Sequence, residues 1–359
     1  MVNAVSRLRA AGQSIWLDSI SRIMVTSGTL ARYASELMVT GLTSNPTILG
    51  HAMAASHDYD ESLRRLVAGG ISEPQDLVYA VAFEDLAAAA SLFRPVWEDT
   101  RGADGYVFIE VPADLAYDAP RTAALAGRLQ EEVGFPNLLV KIPGTPQGLV
   151  AMEETVAAGI GVNVTLLFSD AQYIAIAEAN QRALERRLDA GKDLGVPSVA
   201  SVFVSRRDKA ADPMLPAHLY GTLGLAMAKK AYSCYRGLLS GERWAGLAEA
   251  GALPQWLLWA STSVKDPRLS GSYYVANLVA PGTVDTAAGK TLLAFAEHGN
   301  VEALLEADAE AAEAQVAAAV AEGVDPDALA ELLQRQGARA FSADWAGLLD
   351  AIEAKVARM

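Results

Sequence analysis

A lysine lies at the end of a short apolar run that the sequence predicts to be a buried strand. The run covers residues 137–142, and Lys141 is its only charged residue. An ammonium group in an apolar interior is costly unless an acidic group pairs with it or it gives up its proton. A neutral amine is a nucleophile. The segment therefore indicates nucleophilic chemistry or, as the simpler alternative, a solvated lysine at a strand end.

Five further segments have the same construction, a short β-branched and aliphatic run with a polar group inside it or at its end. They are residues 14–18, 41–46, 106–111, 161–168 and 198–206. This pattern is typical of parallel strands that are buried on both faces and carry chemistry at their carboxyl ends. The polar side chains at or near these ends are Asp18, Asn45, Glu110, Asn163, Thr165 and Ser201.

Helical stretches separate the apolar runs. Ser72 and Ser169 each open a capping sequence (SEPQ and SDAQ), so we predict a helix after each, the second ending near Gly191. Two more apolar runs, 257–261 and 274–279, bring the predicted strands to eight. An eightfold alternation of strand and helix predicts an α/β fold of the (β/α)₈ TIM barrel type.

The chain has 359 residues, which is more than a minimal barrel needs. We expect a single domain over residues 1–359 with additional helices in two places. Residues from about 50 to 100 predict a helical insertion after the second strand. The Ala/Glu/Leu-rich tail from about 303 predicts C-terminal helices, with a break at 323–327.

The net charge of −14 and the pI near 4.8 oppose binding to nucleic acid or to an anionic membrane surface. Any bound phosphate must then be held by a few local donors. No apolar stretch reaches about 18 residues and no signal-peptide core precedes the first strand, so we expect a cytoplasmic protein. Cys234 is the only cysteine and cannot form an intramolecular disulfide.

No residue pattern in the sequence indicates a site for a metal or an organic cofactor, and we expect neither. The single cysteine lies in a helical pattern, and the histidines lack metal-ligand spacing. Residues 288–291 (AGKT) look like the end of a phosphate-binding P-loop, but Val284 stands where that loop requires glycine. The four histidines are His51, His57, His218 and His298.

Taken in order, these segments resemble the transaldolase family, Schiff-base (class I) aldolases on a (β/α)₈ barrel, and in particular its longer actinobacterial branch. The resemblance covers nearly the whole chain, and the run 162–169 (VNVTLLFS) is its most specific part. The other matching segments are 16–18 (WLD), 43–47 (TSNPT), 109–111 (IEV), 140–143 (VKIP), 200–206 (ASVFVSR), 259–262 (WAST) and 278–284 (LVAPGTV).

The resemblance implies catalytic roles for four residues. Lys141 attacks the ketone of a ketose phosphate and forms a Schiff base, whose cationic nitrogen is the electron sink for carbon–carbon cleavage. Asp18 takes the proton of the C4 hydroxyl. Glu110, through a water beside Thr165, moves protons while the carbinolamine loses water. Individually each residue has a structural alternative, such as a helix cap for Asp18 or a buried ion pair with Lys141 for Glu110.

The resemblance also implies a substrate-binding set. Asn45, Asn163 and Ser201 hydrogen-bond the hydroxyl groups of the three-carbon fragment. Phe203 and Ser261 complete the sugar site.

Phosphate recognition follows the family less closely. Arg206 matches the phosphate-binding arginine, and a guanidinium can hold two oxygens at once. After the seventh strand many members carry a second arginine, where this chain has Lys265. Pro112 and Asp114 also replace residues that are usual in relatives, so substrate preference is expected to differ.

The expected activity is the transfer of a dihydroxyacetone unit from sedoheptulose 7-phosphate or fructose 6-phosphate to an aldose phosphate, a step of the non-oxidative pentose phosphate pathway. Two alternatives stay open: an aldolase that releases dihydroxyacetone to water or acts on another sugar phosphate, and a noncatalytic barrel that binds sugar phosphates. The sequence also leaves open whether a homodimer forms and whether the natural chain is part of a fusion with an isomerase.

Overall fold

The computed structural model describes residues 4–44, 46–301, 303–307 and 309–359, with the side chains of all of these except 46–49 and 51. Within these ranges, eight parallel strands form one sheet. The strands are β1 (Gln13–Leu17), β2 (Val39–Leu42), β3 (Val107–Glu110), β4 (Leu138–Pro143), β5 (Val162–Leu167), β6 (Ser198–Phe203), β7 (Trp256–Ala260) and β8 (Thr283–Ala287).

The sheet curves into a nearly closed barrel. Its strand order is β2-β1-β8-β7-β6-β5-β4-β3, which leaves one seam between β2 and β3. At that seam the Leu42 amide donates a hydrogen bond to the Tyr106 carbonyl at 3.0 Å. Gly41 permits this approach, because a Cβ atom there would lie 2.7 Å from the same carbonyl oxygen. The predicted (β/α)₈ fold is confirmed.

Helices surround the barrel and account for most of the remaining described residues. They are α1 (Ala4–Ala10), α2 (Arg22–Thr26), α3 (Thr29–Glu36), α4 (Pro46–Ala55), α5 (Asp60–Ala68), α6 (Pro74–Asp99), α7 (Ala119–Val133), α8 (Pro146–Ala158), α9 (Asp170–Asp189), α10 (Ser205–Ala211), α11 (Leu223–Leu239), α12 (Glu242–Glu249), α13 (Tyr273–Asn277), α14 (Gly289–His298), α15 (Ala309–Ala321) and α16 (Pro326–Val356). The helical insertion after β2 (α4 to α6) and the two C-terminal helices are both as predicted.

The two predicted helix starts have different outcomes. Ser169 accepts a hydrogen bond from the Gln172 amide at 3.1 Å and caps α9, and Gly191 adopts φ +65° just beyond the end of that helix. The N-cap of α6 is Glu73 rather than the predicted Ser72. Pro74 occupies the first position of α6, where its fixed φ suits the helix and no donor is lost.

The eighth strand is not where the sequence predicted it. Residues 274–279 were expected to be a strand, but α13 covers Tyr273–Asn277 and β8 covers Thr283–Ala287. A short apolar run suits a buried strand and a buried helix equally, so periodicity cannot separate the two. The strand at this position contains buried Thr283, Asp285 and Thr286. These polar residues break the apolar run that would predict a buried strand.

The core lies on both faces of the barrel wall. One apolar cluster packs between the strands and the outer helices, and a second extends from the barrel interior to helices that include α15 and α16. Trp16 and Phe108 meet inside the barrel with ring centroids 5.2 Å apart. Among the described helices, none is long and apolar enough to cross a membrane.

Candidate active site

Lys141 and Glu110 form a buried ion pair. Glu110 ends β3 and lies beside Lys141 of β4 in the strand register. The distance from Lys141 Nζ to Glu110 Oε2 is 3.1 Å, with 8% and 3% of the two side chains exposed. The amine also donates to the Ser44 carbonyl at 3.3 Å. The alternative of a solvated lysine is therefore wrong, because the amine is enclosed and has a carboxylate partner.

Glu110 has the environment of a proton carrier. Burial raises the pKa of the Glu110 carboxyl above its ordinary value, although the nearby Lys141 opposes that change. Glu110 Oε1 is buried without a hydrogen-bond partner among the described residues, and so is the hydroxyl of Thr165 two strands away. Buried polar atoms without partners are exceptions in folded proteins, and such atoms are available to hydrogen-bond a ligand or a water.

Asp18 follows β1 and is held by a threonine. Thr43 donates a hydrogen bond to Asp18 Oδ1 at 2.8 Å, and its hydroxyl also lies 2.9 Å from that of Thr286. Burial raises the pKa of Asp18, while Lys141, Thr43 and Arg206 oppose that rise. A carboxylate with a raised pKa that still faces two cations is suited to accept a proton.

Asn163 presents a free amide donor beside the lysine. It is the register neighbour of Lys141 on β5, and Ser201 of β6 donates to Asn163 Oδ1 at 2.6 Å. That bond occupies the carbonyl side of the amide. Asn163 Nδ2 is then buried with no acceptor among the described residues, so it can donate to an oxygen of a bound molecule.

Arg206 lies at the start of α10, directly after β6. Its guanidinium lies over the rings of Phe203, at 5.3 Å from the centroid, and Phe341, at 5.7 Å. Burial lowers the pKa of Arg206, with Asp18 and Asp344 opposing the change. Because the charge of the Arg206 guanidinium is partly desolvated, its attraction to a bound anion is strengthened.

The loop after β7 completes this side of the site. Ser261 adopts φ +58°, a left-handed conformation uncommon outside glycine, and its hydroxyl lies 3.0 Å from that of Ser205. Lys265, four residues later, is exposed. Asp114, one of the departures from the family pattern, is exposed in a 3-10 helix after β3 and lies outside the cavity wall.

A single cavity of about 620 Å³ gathers these side chains at the carboxyl ends of the strands. Glu110, the ion-pair partner of Lys141, is not part of the cavity lining, and Asn45 is outside the described residues. The predicted residues that line the cavity are Asp18, Lys141, Asn163, Thr165, Ser201, Phe203, Arg206, Ser261 and Lys265. In the described part of the chain, no group of three or more His, Cys, Asp or Glu side chains could hold a metal ion.

A family model described as Transaldolase/Fructose-6-phosphate aldolase matches residues 15–352. The chain belongs to this family. The family inferred from the sequence motifs is thereby confirmed.

Three relatives, each named Transaldolase, match over almost their whole length. The protein of Thermobifida fusca (strain YX) is 42% identical over 366 residues, covering 99% of both chains. That of Frankia alni is 41% identical over 367 residues, covering 100% of this chain and 99% of its own. That of Arthrobacter sp. (strain FB24) is 43% identical over 366 residues, covering 99% and 98%.

Sequence reasoning missed several residues of this transaldolase-family cavity. Thr43 and Thr286 line it, and so does the exposed Lys209. Lys209 follows Arg206 by three residues on α10, and this helical spacing was a usable signal. Phe341 of α16 also lines the cavity, but no local pattern links it to a site some 200 residues earlier in the chain.

A buried aspartate of β8 was missed for a different reason. Burial raises the pKa of Asp285 to about 8, against a hydrogen bond from Thr262 at 3.0 Å that lowers it. Asp285 Oδ2 has no partner among the described residues. Because the eighth strand is predicted in the wrong segment, the burial of Asp285 could not be foreseen.

Proposed function

We propose that this protein transfers a dihydroxyacetone unit from a ketose phosphate to an aldose phosphate through a Schiff base on Lys141. Sedoheptulose 7-phosphate and fructose 6-phosphate are the proposed donors, as in the non-oxidative pentose phosphate pathway. The observation that carries the proposal is the enclosed Lys141–Glu110 pair at 3.1 Å on a cavity wall. Membership of the family and the names of the relatives support it.

The first step is formation of the Schiff base. The Lys141 amine needs to lose a proton before it attacks, and Glu110 Oε2 is in hydrogen-bond contact to receive it. The neutral amine adds to the donor ketone to give a carbinolamine. Glu110 then protonates the departing hydroxyl, through a water at Thr165, and the products are the iminium ion and water.

The second step is cleavage of the carbon–carbon bond. Asp18 takes the proton of the C4 hydroxyl, the C3–C4 bond breaks, and its electron pair moves into the iminium group to give an enamine. The aldose phosphate leaves as the new aldehyde. The reverse sequence with an acceptor aldose phosphate then forms the product ketose, and Asp18 returns its proton to the new hydroxyl.

Substrate binding divides between the two sides of the cavity. Asn163 and Ser201 hydrogen-bond the hydroxyl groups of the three-carbon fragment, with Asn45 as a further proposed donor. Arg206 holds the phosphate through charge-assisted hydrogen bonds, and Lys265 adds a flexible point charge. Phe203 and Ser261 shape the path between the two sides.

The noncatalytic alternative has less support. Binding alone does not require an amine and two carboxyl groups with raised pKa values around a cavity. The aldolase alternative differs only in the fate of the enamine, which water protonates and hydrolyses instead of an aldehyde capturing it. The names of the relatives favour transfer.

Borohydride reduction with fructose 6-phosphate tests the proposal. Peptide mass mapping should find a three-carbon adduct on the Lys141 peptide, and Lys141→Ala should remove it. Lys355→Ala is the matched control, because Lys355 is also buried and ion-paired, 2.8 Å from Asp60, but lies outside the cavity. Adducts on Lys209 or Lys265 in place of Lys141 would overturn the assignment.

A cytoplasmic location and assembly as a homodimer are further proposals. The acidic net charge and the single, partly buried Cys234 support the first. Cell fractionation checks the location, and sedimentation equilibrium distinguishes a homodimer from a monomer.

A further inference from the structure

The C-terminal helix α16 lies across the cavity and is fastened to the barrel. Gln334 donates hydrogen bonds to the carbonyls of Gly144, at 2.7 Å, and Leu166, at 3.1 Å, which lie at the carboxyl ends of β4 and β5. Gly337 allows close packing there, since a Cβ atom on it would lie 2.7 Å from Leu166 Cδ2. Helix α16 is therefore a fixed part of the cavity wall.

Phe341 is the residue of α16 that meets the reactive groups. Its ring centroid lies 5.6 Å from Lys141 Nζ and 5.7 Å from the Arg206 guanidinium carbon. Only 4% of Phe341 is exposed, and its ring forms part of the cavity lining. One aromatic ring thus contacts two cations, both within the range where the ring quadrupole attracts them.

The contact with Lys141 matters most after the Schiff base has formed. An ammonium has three N–H donors, which here serve Glu110 and the Ser44 carbonyl. The iminium nitrogen keeps its positive charge but has a single N–H, so it cannot keep both hydrogen bonds. Attraction to an aromatic face requires charge and not an N–H donor, so it survives this change.

We propose that Phe341 is a positioning residue of the reaction: its ring holds Lys141 and Arg206 toward the substrate and stabilises the iminium charge. The inference rests on the proposed Schiff-base function and adds a contribution from the C-terminal helix. It predicts that removal of the aromatic face, at nearly constant apolar volume, lowers the population of the iminium.

Three variants test this inference. Phe341→Leu removes the ring face and retains an apolar side chain, while Phe341→Tyr keeps an aromatic face. Leu348→Ala is the control for loosened helix packing, since Leu348 is a buried residue of α16 that lies outside the cavity lining. The readouts are the yield of borohydride-trapped Lys141 adduct at subsaturating fructose 6-phosphate, kcat and KM for transfer, and the melting temperature.

Phe341→Leu should lower the trapped adduct and kcat/KM by about 2–30-fold, the range that corresponds to cation–π energies. Phe341→Tyr should restore most of both, and Leu348→Ala should lower the melting temperature without lowering the adduct yield. Equal losses in the leucine and tyrosine variants, or no loss in the leucine variant, would overturn the inference alone. Absence of any Lys141 adduct in the unaltered protein would overturn the Schiff-base function and this inference with it.

Discussion

Glu110 Oε2 and Lys141 Nζ lie 3.1 Å apart on neighbouring strands, almost wholly enclosed by the barrel. Neither charge is solvated, so each depends on the other. A buried pair of this kind contributes little net stability, but removal of one member leaves an uncompensated charge. The pair also places a proton acceptor against the amine that needs to become neutral.

Glu110→Gln should slow Schiff-base formation and reduce kcat by about 10²–10⁴-fold, because the amide cannot carry protons. The free energy of unfolding should fall by up to about 3–5 kcal/mol, since the ammonium loses its partner. Rapid-quench borohydride trapping measures the first effect and urea unfolding the second. A normal rate of imine formation would exclude Glu110 as the proton carrier.

Asp18→Asn should separate imine formation from cleavage. With fructose 6-phosphate the variant should still give a borohydride adduct on Lys141, now with the mass of the uncleaved six-carbon donor. Transfer should fall by about 10²–10⁴-fold because the C4 hydroxyl keeps its proton. Comparison with Glu110→Gln provides the control, since that variant should be slow in the earlier step. Loss of the adduct in folded Asp18→Asn would assign Asp18 a different role.

The pH profile should report the environment of Asp18. Burial raises its pKa above the ordinary value of 3.8, and the base works only when ionised, so kcat/KM should fall as the pH drops through that raised value. Thr43→Val removes a hydrogen bond that stabilises the ionised form and should shift this acid limb to higher pH. Thr286→Val, which contacts Thr43, is the control with a smaller expected shift. An unmoved limb in Thr43→Val would assign the titration to another group.

The phosphate site should depend on Arg206 more than on Lys265. Arg206→Ala should raise KM for phosphorylated substrates by about 10–150-fold, the loss of charge-assisted hydrogen bonds worth about 1.5–3 kcal/mol. Lys265→Ala should have a smaller effect, because an exposed ammonium on a flexible stem is a weaker anchor. Glyceraldehyde, which has no phosphate, is the control acceptor. Equal losses on both acceptors would move the phosphate site elsewhere.

Asp285 should make the stability dependent on pH. Its carboxyl keeps its proton in the folded protein up to about pH 8, whereas its pKa in the unfolded chain is near the ordinary value of 3.8. The unfolded state therefore binds fewer protons between these values, and stability falls as the pH rises through that window. Asp285→Asn cannot ionise, so its slope should be less steep, by up to about 1.4 kcal/mol per pH unit. Urea unfolding at several pH values measures both slopes.

Asp104→Asn is the contrasting control for that experiment. Asp104 is also buried, but it accepts hydrogen bonds from Ser14, at 2.6 Å, and from Trp16 and Gly105, both at 2.7 Å. Burial raises the pKa of Asp104 as well, while these three donors lower it. An amide NH₂ in place of an acceptor oxygen should cost about 1–3 kcal/mol. Parallel slopes for Asp285→Asn and the unaltered protein would show that Asp285 does not titrate in this window.

Much of the site was predictable because strands buried on both faces are apolar. A charged or amide side chain within or at the end of such a run stands out, which is how Asp18, Glu110, Lys141 and Asn163 were found. Parallel strands of a barrel bring their carboxyl ends to one rim, so the order of these residues already predicted that they converge. Strand β8 was not predicted, because the polar residues Thr283, Asp285 and Thr286 within it break the apolar pattern.

Contacts between distant segments depend on the tertiary structure instead. The strand alternation and the motifs of the chain were enough to predict the barrel and the lysine chemistry. The placement of α16 over the cavity depends on Gln334 reaching two strand-end carbonyls and on the missing side chain of Gly337. The approach of Phe341 to Lys141 and Arg206 follows from that docking. Such contacts leave no local periodicity, because they arise only when the packed barrel presents both surfaces to each other.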